Sequence, residues 1–247
     1  MVRLVRLQIK LFLFIFFSSL CLFAQVPSQK QQLRVQIWAE MDSFPGGLDE
    51  VENTSDQDAQ GKHELPKVSS SGLYDFAVAR TKEIAPFLLS GMISGWTFDY
   101  VPYDKTRHIA EDFDFEEVIP YSSNVNPITY KNPIVEDDKL LCWAYCDRTD
   151  SQQLAFRRWS AIAHPKVHGI GKSSVEKGFD GIKEACSEAM KNAVREYWRI
   201  YIKNKPKEIY GMLLLIGVPR VYISEGQYVA DLEFFMETDK IVKYTYY

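Results

Sequence analysis

His164 and His168 stand four residues apart, a spacing that chelates a metal ion when both lie on one helix face. Pro165 interrupts any helix between them, and no H-E-x-x-H glutamate accompanies them. The pair therefore reads as two weak interaction candidates on a surface loop, with no metal assigned. The next segment, Gly169-Ile170-Gly171-Lys172-Ser173-Ser174, echoes a phosphate-binding loop. The full motif needs a glycine five places before Gly171, where Lys166 stands. What remains is a glycine-rich entry into a helix, where Lys172 and the helix N-terminus would hold an anion only weakly.

Ser174-Val175-Glu176-Lys177 matches the S-x-x-K of penicillin-recognising enzymes, in which the serine attacks a carbonyl and the lysine shares its proton. The supporting motifs fail: Ser122-Ser123-Asn124 precedes Ser174, and no K-T-G follows. Cys142 and Cys146 lie on a predicted strand, where four residues span about 13 Å, too far for one bridge or one ion. With Cys186 they read as buried free thiols. Glu111, Asp112, Asp114, Glu116 and Glu117 form the densest acidic cluster, but Phe113 and Phe115 alternate with them. That pattern is an exposed strand face and lacks the tight glycine turn of a calcium loop. No cofactor-holding motif and no catalytic set emerges.

Aromatic residues are the remaining candidates. Trp96, Phe98 and Tyr100 share one side of a predicted strand, joined by Tyr103, Trp143, Tyr145, Tyr244, Tyr246 and Tyr247. On a surface such rings would suit sugar or protein binding. The core reading is the stronger, because strand aromatics usually pack beneath helices.

The elements that position these residues follow from periodicity. Residues 32–40 alternate Leu33, Val35, Ile37 and Ala39 with polar neighbours, a half-buried strand. Residues 42–72 are rich in Ser, Gly, Asp, Glu, Gln and Pro and read as a mobile insertion carrying the sequon Asn53-Thr54-Ser55. Helical spacing returns at Leu73, with Pro86 expected to kink the helix or start a new turn and Gly91 and Gly95 marking its exit. Strands are predicted near 96–101, 109–120, 128–135 and 139–146. A helix over 149–163 places Ala155, Trp159, Ile162 and Ala163 on one side. The clearest helix spans 174–204, with a Ser173/Glu176 capping box and a stripe of Ile182, Cys186, Ala189, Ala193, Tyr197 and Ile200. The tail reads as strands at 209–218 and 228–237, with a hairpin turn at Glu225-Gly226, and a final strand from Ile241. The expected class is α+β: a mainly antiparallel sheet with two or three long helices packed on one face.

The address comes from the first 24 residues. Arg3, Arg6 and Lys10 precede an apolar stretch, Leu11 to Ala24, of 14 residues. A bilayer span needs roughly 20, so this reads as a cleavable signal peptide ending at Ala24. Leu20 before Cys21 does not suit lipid attachment. Cleavage leaves 223 residues in a single domain, 25–247, with 26 Lys+Arg against 33 Asp+Glu. That balance argues against nucleic acid and anionic membrane surfaces as partners.

The segments IWAEMDSFPG, LYDFAVARTKEIAPFLLSGMISGWTFDYVPYDK and EACSEAMKNAVREYWR resemble stretches of secreted spirochaete proteins of no assigned function. The resemblance implies a periplasmic or outer-envelope setting and carries over no catalytic residue. The function expected is that of an exported, non-enzymatic envelope protein binding a protein partner or a wall component. An envelope hydrolase whose residues meet only in the fold is the alternative.

Overall fold

The computed structural model describes residues 32–42, 74–136, 138–161, 164–202 and 204–244. The signal segment, the sequon, nearly all of the 42–72 insertion, Ile162, Ala163, Tyr246 and Tyr247 lie outside the described residues. Among those described, two antiparallel sheets and three α-helices give the α+β class read from the sequence.

The smaller sheet has the order β1-β5-β4 and comprises β1 (Gln32–Glu40), β4 (Thr129–Glu136) and β5 (Lys139–Asp147). In β1 the residues Leu33, Val35, Ile37 and Ala39 are buried, as their alternation demands. They sit opposite Cys146, Ala144, Cys142 and Leu140 of β5, which are buried on the same period.

The larger sheet has the order β3-β2-β7-β8-β6. Its strands are β2 (Trp96–Val101), β3 (Asp112–Glu117), β6 (Lys166–Ser174), β7 (Glu208–Ser224) and β8 (Gln227–Val242). The β7–β8 hairpin turns at Glu225 and Gly226, whose φ angles of 54° and 71° are those of the tight turn that matches strand twist. β7 runs through Pro219 because the register shifts between Ile216 and Arg220, so the missing N–H falls in a bulge. β8 continues unbroken to Val242; the expected separate strand from Ile241 is its end.

Helix α1 (Asp75–Ile93) carries Pro86 inside it and does not stop there. The carbonyl that loses its donor belongs to Lys82, which is exposed and can meet water. Helix α3 (Gly178–Tyr201) begins later than its sequence pattern suggested. Residues 166–174 are strand, and Val175–Lys177 form a single 3-10 turn. No Ser173/Glu176 capping box forms: Ser174 caps the 3-10 turn by accepting from the Glu176 N–H, and Ser173 donates to Glu184. The apolar stripe of α3 is buried through Val194, but Ile200 is 75% exposed.

Both long helices contribute to the core on one face of the large sheet. Phe87 of α1 lies 5.3 Å from the Trp96 ring and 6.2 Å from Phe179 of α3. Trp96 in turn meets Phe115 and Phe234 edge-on. Removing so large a buried ring would cost about 3–5 kcal/mol. The short helix α2 (Asp150–Ala161) buries no residue completely. It turns Gln152, Phe156 and Trp159 inward, with Ala155 exposed, and Phe156 lies 6.4 Å from Phe235 of β8.

Candidate functional site

The aromatic row is interior. Trp96, Phe98 and Tyr100 are at most 3% exposed, so they present no ring to a partner, and only the Tyr100 hydroxyl matters for a site. Their alternation with polar residues is what places them under the helices.

The two histidines have separate partners. His164 Nδ1 donates to the Trp159 carbonyl at 3.0 Å, while its Nε2 is 3.7 Å from Glu237. His168 stands on the exposed side of β6, with Nε2 2.6 Å from Asp231. It is not in a loop, because residues 166–174 pair with β8 along their whole length. Lys172 points outward from the same strand and is not at the expected helix entry, because α3 starts six residues later at Gly178. Lys177 is paired with Glu184 at 2.5 Å and Ser174 caps a backbone N–H, so the S-x-x-K residues form no reactive pair. The three cysteines among the described residues, Cys142, Cys146 and Cys186, are buried and free. Among the described residues no group of three or more His, Cys, Asp or Glu could hold a metal ion.

Strand β3 splits the acidic cluster between two faces. Asp112, Asp114 and Glu116 point outward and are exposed. Asp114 sits opposite Asp99, whose carboxyl is pushed upward by burial and by the charges of Glu208, Asp114 and Asp112. Glu111 and Glu117 take the inward side with Phe113 and Phe115. Glu117 accepts from the Ser90 hydroxyl at 3.0 Å.

Glu111 lines a groove of about 590 Å³ among the described residues. The C-terminal turns of α3 form one wall with Arg195, Trp198 and Arg199. The connector to β7 adds Ile202, Lys205 and Pro206, and the segment after β2 adds Pro102 and Tyr103. Tyr100 and Ile209 line it from the sheet. A local turn follows Tyr103 in the chain. Asp104 accepts from the N–H groups of Thr106 and Arg107 and from the Arg107 guanidinium, which holds its carboxyl below the usual range.

The polar centre of the groove is fixed by mutual pairing. The Tyr100 hydroxyl donates to Glu111 Oε1 at 2.7 Å, and Arg195 Nη1 donates to Oε2 at 3.3 Å. Lys191 adds its charge at 3.9 Å. Burial and the neighbouring carboxylate push the Tyr100 hydroxyl far above the ordinary phenol range, so it remains a neutral donor. Lys205 Nζ donates to the Tyr103 carbonyl at 2.5 Å and lies 5.4 Å from that residue's ring. The arrangement offers flat apolar surface, fixed donors and positive charge, all without a pair of free carboxylates.

A second groove, of about 400 Å³, is mostly apolar. Ile93, Val118, Ile119, Val125, Trp159 and Met212 line it. Its polar rim is self-satisfied, because Asn126 and Gln152 exchange hydrogen bonds at 2.8 and 2.9 Å.

Sequence reasoning singled out none of Arg195, Trp198 and Lys205. The groove's members are scattered from residue 100 to 209, and no local spacing ties them together. Trp198 did carry a signal: it lies beside the helical stripe yet precedes a closing Pro206.

A family model matches residues 19–244 of the chain. A Treponema pallidum (strain Nichols) protein, itself described as uncharacterized, is 27% identical over 166 residues, which cover 67% of this chain and 70% of the relative. No solved structure matches.

Proposed function

We propose that this chain, which belongs to an uncharacterised family represented in spirochaetes, is a non-enzymatic binding protein of the cell envelope whose ligand seats in the Tyr100–Glu111–Arg195–Trp198 groove. The carrying observation is the chemistry of that groove. Rigid aromatic and proline surface surrounds a charge centre already positioned by its own partners, so little order has to be gained on binding. The pattern of residues 1–24, a basic start, an apolar middle and a small residue at Ala24, supports the envelope setting. No helix among the described residues is long and apolar enough to cross a membrane.

The geometry speaks against the hydrolase alternative at this position. Glu111 is the one carboxylate among the described lining residues, and it is held by Tyr100 and Arg195. General acid–base hydrolysis needs a carboxylate free to exchange a proton, usually with a second one facing it.

The test is retention of the purified chain on isolated envelope fractions, wall sacculi and solubilised envelope protein separately. Trp198→Ala and Arg195→Ala should each release it. Lys183→Ala, more than three turns earlier on α3, should not. Unchanged retention of both groove variants would remove the groove from the binding function.

A further inference from the structure

We infer that the ligand of this groove is a carboxylate-bearing sugar, an inference that rests on the groove being the binding site. The first argument is charge. Arg195, Arg199 and Lys205 line the groove against the single carboxylate of Glu111, in a chain of formal net charge −4. Glu111 is answered within the fold by Tyr100, Arg195 and Lys191. Lys205 spends one hydrogen on the Tyr103 carbonyl, and the neighbouring carboxylate of Glu208 is taken by Lys207 at 2.9 Å. Arg199 is 73% exposed and leans on Glu196 at 2.7 Å, a surface pairing of little worth that a ligand carboxylate could replace. A local surplus of cation on an acidic molecule is complementary to an anion.

The second argument is shape. Trp198, Tyr103, Pro102 and Pro206 give flat apolar surface, and Tyr103 is 52% exposed. Such faces stack on the C–H side of a sugar ring while donors at the edge take its oxygens. The size, about 590 Å³, falls within the range of small-ligand sites, roughly 300–1,000 Å³.

The third argument separates a sugar from a peptide. An extended peptide gains most of its affinity by pairing with a free sheet edge. The strand residues lining the groove, Tyr100 and Ile209, belong to β2 and β7, which are both interior to the sheet. The remaining lining comes from a helix and two connectors, which offer no ladder.

The test titrates the full chain with three probes, read by tryptophan fluorescence and calorimetry. N-acetylmuramic acid and N-acetylglucosamine differ by the lactyl carboxylate, and N-acetyl-alanyl-alanine carries a carboxylate without a sugar. N-acetylmuramic acid should bind saturably, with N-acetylglucosamine about tenfold weaker or worse, the loss expected for one charge-assisted hydrogen bond. Lys205→Gln and Arg199→Gln should each lower affinity for the acid toward that of the neutral sugar, with unchanged circular dichroism. Equal affinity for the two sugars, tighter binding of the dipeptide, or no binding of either sugar would overturn the inference. If no probe binds but Trp198→Ala still releases the chain from envelope fractions, the sugar assignment falls and the binding role stands. If retention is also unchanged, both fall.

Discussion

A Cβ on Gly171 of β6 would lie 2.1 Å from the carbonyl oxygen of Ala185 in α3, and one on Gly169 would lie 2.0 Å from that of Ala189. Helix and strand therefore meet backbone to backbone, with alanines opposing glycines. Asn192 reinforces the contact by donating to the Ile170 carbonyl at 2.8 Å. This close seat is what holds α3, and with it Arg195 and Trp198, at a fixed height over the sheet.

Gly171→Ala should accordingly destabilise the fold by about 3 kcal/mol, the upper part of the range for overpacking, because the clashing atoms are backbone and cannot swing away. Gly226→Ala is the comparison: nothing lies within 4 Å of a Cβ there, and only left-handed strain of about 1 kcal/mol applies. Urea unfolding of both variants measures the difference. Equal losses would show that α3 is free to lift off β6.

The three buried cysteines Cys142, Cys146 and Cys186 make a chemical prediction. Burial pushes the Cys142 and Cys146 thiols up to about 11 and Cys186 up to about 12. In the native protein at pH 8 none should react with N-ethylmaleimide except through opening of the fold, as peptide mapping of the adducts would show.

The same shifts carry a pH dependence. Each folded-state value lies above the ordinary thiol value of 9.0, so the folded state resists deprotonation. The stabilisation is complete below about pH 9 and is lost as pH rises through 11 to 12. Replacing Cys186 with Ala should flatten the decline in unfolding free energy across that window.

Asp99 behaves in the opposite range. Burial and the charges of Glu208, Asp114 and Asp112 raise its carboxyl above 3.8, so its ionised form weakens the fold once pH exceeds that value. Asp99→Asn should raise Tm at pH 7, and the gain should vanish below about pH 4, where both side chains are neutral.

Tyr100→Phe removes the hydroxyl that donates to Glu111 at 2.7 Å. The ring's packing is kept, so the expected stability loss is about 1 kcal/mol. Retention on envelope fractions should fall more than this modest change implies, because Glu111 and Arg195 lose the donor that fixes them. Retention at the wild-type level would show that the pair needs no such support.

Much of the fold was legible wherever burial follows side-chain polarity. β1, β2 and β5 alternate large apolar with polar residues, and the Glu225-Gly226 turn announces its hairpin. β6 was not legible, and the reason is physical. Its buried face is Val167, Gly169, Gly171 and Ser173, small because the backbone of α3 occupies the space that large side chains would otherwise fill. Glycine there looks like a loop signal when it is a packing requirement. The groove was hidden for another reason. Glu111 read as part of an exposed acidic face, yet strand parity turns it inward to Tyr100, and its partner Arg195 is 84 residues away. Only tertiary structure reveals such a pair.

The placement of the β7–β8 hairpin at the centre of the larger sheet governs the order in which the molecule can be assembled. β2 and β3 can pair with each other early, but β2 must wait for β7 and β6 must wait for β8, although all three precede the hairpin in the chain. Until residues 208–242 arrive, these strands have no common neighbour, and the loops to be closed are long. A nascent chain of this topology stays incomplete until its last strands are delivered, so truncation before residue 208 should yield no cooperative unfolding transition at all.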